Sequence, residues 1–231
     1  MLTVSPRHRF IFIHIPKTAG SAITEVVEPL ARERRRTFWR RLSRKLPMRE
    51  SPERAYFRSH DSAAKVRAKL GEEVWNSFAT FAVVREPFDH AVSHFEFMKQ
   101  FPSPRVAAKV AAMTFADYLV DRQRSPRPGR RIFSRMPDQA HYVTDVEGRI
   151  IVDRIIRLEN LDAEVSDLLE GLGLGRLQLD RVNQTKARSP RRSVASYYDD
   201  PATVEMVRDI YARDFTLFGY SSTPPWRAPI G

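Results

Sequence analysis

The sequence predicts an α/β protein: one domain over residues 1–231, with a central parallel sheet flanked by helices. Three observations predict it. Phe10–Ile15 (FIFIHI) is a short run apolar on both faces apart from His14, as expected of a parallel strand covered on both sides, and Phe78–Val84 (FATFAVV) reads as a second buried strand. Each run passes through a short turn into a helical pattern. Strand and helix patterns keep alternating further along, which is the layered α/β arrangement.

The first strand, Phe10–Ile15, is followed by a helix over Ser21–Ala31 in which Pro29 marks an early end. Arg32–Arg54 is basic and interrupted by Pro47 and Pro52, and reads as an insertion or a mobile helix. The stretch RAYFRS before His60 reads as a short strand. Asp61 or Ser62 caps a helix to Leu70, with Gly71 as its stop. After Phe78–Val84, Pro87 opens a helix to Gln100 as a first-turn proline. Thr114 and Asp117 start a short helix ending near Gln123, and Ser125–Arg131 is loop. Tyr142–Thr144 and Arg149–Val152 read as a hairpin around Glu147-Gly148. A strand over Arg154–Leu158, a helix over Asp162–Leu172 and a last helix over Pro201–Phe215 complete the chain.

A chain of 231 residues can bury a full core. It has no cysteine, which excludes a disulfide framework, thiolate zinc sites and a Cys nucleophile. No apolar run approaches the roughly 18 residues of a membrane span, and Phe10–Ile15 is too short for a signal peptide. The formal charge is +11. It concentrates in Arg32–Arg54, with ten Lys/Arg against three Glu, in Arg122–Arg135, with six Arg, and in Arg181–Arg192, with five Lys/Arg. Such runs are either solvated loops or contacts to an anionic cofactor, an anionic polymer or a membrane surface. Nucleic acid is disfavoured, because neither a zinc-finger spacing nor an aromatic RNA-binding pattern is present.

The turn after the first strand, Pro16-Lys17-Thr18-Ala19-Gly20-Ser21, places a lysine, two hydroxyls and the first N–H groups of a helix together, which is how proteins hold phosphate. It is not the ATP/GTP P-loop, whose lysine follows the second glycine. Here Lys17 precedes Gly20 and no glycine lies upstream in the turn. The second strand–turn–helix, FAVVREPFDHAVSHF, puts Arg85 at the strand end and Ser93 two helical turns on. Ligands of α/β sheets sit outside the carboxyl ends of strands. Two phosphate-holding turns there imply a nucleotide phosphorylated at two places. Arg85 could instead pair with Glu86 or Asp89.

The two stretches PKTAGS and VREPFDHAVSHF resemble the cofactor motifs of sulfotransferases that use 3′-phosphoadenosine 5′-phosphosulfate (PAPS), and most of all those of the carbohydrate-type family 2. SHDSAAKVRAKLGEEVWNSF, RLENLDAEVSDLLEGLGL, NQT and YYDDPATVEMVRDIYARDFTLFGY are similar to later segments of the same family, so the resemblance covers most of the chain. It implies a sulfotransferase fold related to nucleotide kinases. It implies that Lys17, Thr18, Gly20 and Ser21, with backbone N–H groups of the turn at Ala19, hold the 5′-phosphosulfate, and that Arg85 and Ser93 hold the 3′-phosphate. Ala19 stands where many relatives have glycine, harmless at negative φ and costly at positive φ. Ala22 stands where they often have serine or threonine, and His90 where they often have arginine. The run Arg181–Arg192, with Lys186 and Arg188, is expected to fold over the nucleotide, Lys186 or Arg188 reaching a phosphate.

Sulfuryl transfer needs an in-line hydroxyl, a base for its proton and a cation for the departing phosphate oxygen. Lys17 suits the last task. The leaving group is already a phosphate, so no metal is expected. Of six histidines, His14 belongs to the core or supports the turn, and His90 and His94 lie on the helix after Arg85. His60 stands at an element junction where the resembled family also has a histidine, and is the expected base, with Glu159 in reserve. The expected acceptor is a carbohydrate or glycolipid hydroxyl. Arg32–Arg54 and Arg122–Arg135 are expected to line its side, with peripheral contact to an anionic membrane. The absent span and cysteines favour a bacterial, cytoplasmic enzyme. The rivals are a nucleotide-dependent kinase and an inactive polyanion-binding module.

Overall fold

The computed structural model describes residues 1–31, 48–123, 137–175 and 193–227. In chain order its elements begin with β1 (Thr3–Ser5), β2 (Phe10–Ile13), α1 (Gly20–Val27), α2 (Ala63–Leu70), α3 (Glu72–Asn76) and β3 (Ala79–Val84). Then come α4 (Pro87–Lys99), α5 (Pro104–Ala111), α6 (Phe115–Gln123) and α7 (Ala140–Val143). The last are β4 (Arg154–Arg157), α8 (Leu161–Gly171), α9 (Pro201–Ile210) and α10 (Ala212–Phe218). The residues divide into two compact units, Met1–Val84 with Ala140–Arg188, and Arg85–Gln139 with Ser189–Gly231.

The first unit carries a four-stranded sheet in the order β1-β2-β3-β4. The expected α/β class and mostly parallel sheet are borne out: β2, β3 and β4 run parallel, with Ile13 opposite Ala82 and Val84 opposite Arg157. β1 is antiparallel to β2. β2 is therefore interior, and all four of its residues are fully buried. On one face Phe10, Phe12, Phe81, Val83 and Ile156 form a core with Ile23 and Val27 of α1 and Leu161, Val165, Leu168 and Leu169 of α8. The β3–β4 register is pinned by Asp153. Its Oδ2 accepts from the N–H and hydroxyl of Thr80, both at 2.7 Å, while its own N–H donates to Thr80 Oγ1 at 2.8 Å.

The second unit packs helices around an aromatic core that includes Phe88, Phe95, Phe115, Tyr118, Tyr198, Tyr211 and Phe215. Thr114 and Asp117 close a reciprocal cap on α6, as expected from their spacing: Asp117 N–H donates to Thr114 Oγ1 and Thr114 N–H to Asp117 Oδ2, each at 3.1 Å.

Several sequence expectations are corrected. Tyr142–Thr144 is not a hairpin arm: α7 occupies Ala140–Val143, and only an isolated Thr144–Ile150 bridge remains. Asp145 explains this, because its carboxylate takes the N–H groups of Glu147 and Arg149 at 3.1 and 2.8 Å and folds the loop locally. RAYFRS forms no strand, since Arg54 and Ala55 donate back to Ser51 O and Arg58 N–H goes to the Asp61 carboxylate. The last helix is two, α9 and α10, broken at Tyr211 with φ −112°. The Tyr211 hydroxyl is held inside the core, accepting from Arg122 Nη1 at 2.7 Å. Arg122 is thus a buried residue of α6 and not part of an acceptor-facing loop. Residues 124–135 of that basic run, 32–47 of the first, and 181–192 with Lys186 and Arg188 lie outside the described residues. Among the described residues, no helix is long and apolar enough to cross a membrane.

Candidate functional site

The turn between β2 and α1 is built from two left-handed residues, Lys17 at φ 66° and Ala19 at φ 57°. Between them Thr18 is fully buried, and its hydroxyl donates to Ile15 O at 3.0 Å. That bond ties the turn to the end of the sheet and commits the Thr18 side chain to structure, leaving its backbone N–H for a ligand. Ala19 is the N-cap of α1, and no side chain caps the helix. The first N–H groups of α1, those of Gly20 and Ser21 among them, lack an intrahelical acceptor. An uncapped N-terminus behind a turn of left-handed residues suits an anion, and the half-buried Lys17 adds a cation beside it.

Positive φ at Ala19 resolves the question raised by its sequence. A left-handed non-glycine residue costs roughly 1–2 kcal/mol, part of which glycine would return through a more flexible unfolded chain. Ala19→Gly is expected to stabilise the protein by about 1 kcal/mol and raise Tm by about 2–4 °C in a melting experiment. A lower Tm would contradict the left-handed turn.

His14 sits directly behind this turn. It is 8% exposed, and its ring lies so close to Gly20 that a Cβ there would stand 2.0 Å from both Cδ2 and Nε2. The ring stacks on Phe12 at 5.8 Å and meets the His60 ring at 4.6 Å. Burial pushes its pKa down to about 2, so the imidazole is neutral at physiological pH. Its Nδ1 is buried with no hydrogen-bond partner among the described residues.

His60 lies in the turn ahead of α2; the residue as a whole is exposed, but its ring packs inward against that of His14. Its Nδ1 lies 2.9 Å from the His14 carbonyl oxygen. A carbonyl can only accept, so Nδ1 carries the proton and the neutral ring presents the lone pair at Nε2. Burial of the ring lowers the His60 pKa from its ordinary value, against the raising effect of the bond to His14. The unprotonated form, the one a base needs, is favoured at neutral pH. The first unit thus brings His60 and the Lys17 turn together around one residue, His14. Glu159 is exposed in the 3₁₀ turn Leu158–Asn160 after β4.

In the second unit, Arg85 is 8% exposed and its guanidinium is held by Asp89, with Nε and Nη2 at 2.8 and 2.6 Å from Oδ2. The ion pair left open by the sequence is therefore formed with Asp89. Glu86 instead caps α4, its two oxygens accepting the N–H groups of Phe88 and Asp89 at 3.1 and 2.8 Å. The N-terminus of α4 is already filled by a carboxylate, so a phosphate there would rely on side chains. Asp89 and Ser93 lie four residues apart on α4, Arg85 precedes the helix by two residues, and Ser93 is 8% exposed. His90 is fully buried with Nδ1 2.9 Å from the Tyr211 hydroxyl, so it replaces the family's arginine as a core residue and not as a surface ion-pair partner.

Two residues that sequence reasoning missed surround Arg85. Gln139 and Asp214 are fully buried, and Gln139 bonds the Arg85 backbone at both N–H and C=O. No local pattern marks them, because their partners lie 54 and 75 residues away. Among the described residues, no group of three or more His, Asp or Glu side chains could hold a metal ion.

A model of the sulfotransferase family matches residues 1–221. No curated protein matches the chain, and no solved structure does. The match spans both strand–turn–helix stretches, His60 and the C-terminal helices, nearly the full chain. The chain belongs to the sulfotransferase family, in its family 2 branch, and is a transferase of sulfuryl groups.

Proposed function

We propose that the protein moves a sulfuryl group from PAPS to a hydroxyl of a carbohydrate or glycolipid. The observation that carries this reading is the turn after β2, an uncapped helix N-terminus with a lysine, beside a histidine whose tautomer leaves Nε2 as acceptor. In it, backbone N–H groups of residues 18–21 and Lys17 hold the 5′-phosphosulfate. Arg85, oriented by Asp89, and Ser93 take the 3′-phosphate. The family match over both motifs supports this division.

In the transfer, His60 Nε2 accepts the proton of the acceptor hydroxyl as its oxygen bonds to sulfur. The bond between sulfur and the bridging phosphate oxygen breaks, and Lys17 stabilises the charge left on the 5′-phosphate. One such contact is worth on the order of 3 kcal/mol.

Calorimetric titration tests the donor. Adenosine 3′,5′-bisphosphate is expected to bind much more tightly than AMP or ATP, and Arg85→Ala to erase most of that preference, since a charged hydrogen bond contributes roughly 1.5–3 kcal/mol. Equal affinities for ATP and the bisphosphate would sink the PAPS reading. Transfer of radiolabelled sulfate from PAPS into extracted glycans and glycolipids tests the acceptor class. Label appearing only in small non-carbohydrate metabolites would overturn it.

A further inference from the structure

The side-chain amide of Gln139 is shared between Arg85 and Asp214. Its Oε1 accepts the Arg85 N–H at 2.8 Å, and its Nε2 donates to the Arg85 carbonyl at 2.8 Å. A side chain thereby makes the two-point contact that a paired strand would make. Asp214 completes the arrangement, its Oδ2 accepting from Gln139 Nε2 at 3.1 Å and from the Gln139 backbone N–H at 2.9 Å. These bonds fix the orientation of the amide, because a flipped Gln139 would turn its NH₂ toward the Arg85 N–H. Next to it, Asp138 grips Arg213 through both oxygens, at 2.7 and 2.6 Å, and fastens the segment to α10.

Arg85 is therefore fixed at both ends, its backbone by Gln139 and its guanidinium by Asp89. Burying a carboxylate such as Asp214 is costly, and apolar residues of similar volume usually fill a core as well or better. What the polar pair supplies and an apolar pair would not is a defined position for the residue that follows β3. Because Arg85 leaves the sheet at that point, a small rotation of its peptide would swing the guanidinium through ångströms.

We propose that Gln139, held by Asp214, is a positioning residue that sets Arg85 for a phosphate and so determines the preference for a nucleotide phosphorylated at the 3′ position. The inference rests on the donor reading above and adds a specificity determinant to it. Gln139 acts through Arg85 and touches no ligand itself.

The test compares Kd for AMP with Kd for adenosine 3′,5′-bisphosphate in the wild type, in Gln139→Met and in Gln139→Asn. Methionine keeps the volume and removes both bonds, and asparagine is one methylene too short to make both. As a control, Val207→Ala in the same unit's core loosens packing without touching the network. The ratio of the two constants is expected to fall at least tenfold in the Gln139 variants, with AMP affinity nearly unchanged, and to stay at the wild-type value in Val207→Ala. Equal weakening of both nucleotides, an unchanged ratio, or failure of every Gln139 variant to fold would make Gln139 a plain core residue and overturn the proposal. A wild-type protein with no preference for the bisphosphate would instead bring down the donor reading on which it rests.

Discussion

His60→Ala is expected to lower kcat by about 10²- to 10⁴-fold, the usual worth of a general base, while leaving bisphosphate affinity nearly intact. The substitution removes the lone pair at Nε2 together with the Nδ1–H bond to the His14 carbonyl, while Lys17 and the backbone of the turn remain. The acid limb of the wild-type kcat/KM profile should have its midpoint below pH 6.5, because burial lowers the His60 pKa from its ordinary value. The variant should lose that limb. Glu159→Gln is the comparison that decides. If it abolishes turnover while His60→Ala keeps near wild-type turnover, the base is the carboxylate and His60 only orders its turn.

Gly20→Ala should be nearly as damaging, for a steric reason. The added methyl would stand 2.0 Å from two atoms of the His14 ring and 3.1 Å from Cε1. That ring cannot easily yield, being buried against Phe12 and His60. Overpacking of this kind costs typically about 1–3 kcal/mol, and it falls on the helix start that would face the donor. Bisphosphate affinity is expected to drop at least tenfold, and His60, resting on the same ring, to lose turnover with it. In a His14→Ala background the space is open, and the same Gly20→Ala change should then cost less than twofold in affinity. A double-mutant cycle reads that coupling directly. Additive effects, or a Gly20→Ala protein with wild-type affinity, would show that the close contact is not what sets the turn.

Much of this was legible because it is written locally. The largely apolar runs around Phe12 and Phe81 announce buried parallel strands, Pro87 announces the start of α4, and Gly71, at φ 87°, announces the end of α2. Lys17, Gly20 and Arg85 stand out in the sequence because turn and ligand chemistry constrain neighbouring positions together. What stayed hidden depends on residues far apart in the chain. β1, only three residues long, takes its identity from pairing with β2. At the break, the Tyr211 hydroxyl accepts from Arg122, 89 residues away, a partner no local pattern announces. Gln139 looks like any polar loop residue until Arg85 is folded beside it. His14 could be placed in the core from its strand. Its contact with Gly20 could not, since the turn has to fold back before the two meet.

The neutrality of His14 also couples folding to proton uptake. In the folded chain its pKa is about 2, while the unfolded chain offers an ordinary imidazole near 6.5. Between those values the unfolded state holds a proton that the folded state refuses, so stability must fall as the solution is acidified. The full benefit is present above about pH 6.5, and below it the loss approaches about 1.4 kcal/mol per pH unit. Urea unfolding at pH 7.5 and pH 5.5 should show this loss, and His14→Phe, which cannot take up the proton, should flatten it. A chain that packs the turn after β2 against an uncharged histidine therefore carries an acid limit that belongs to its folding and not to its chemistry.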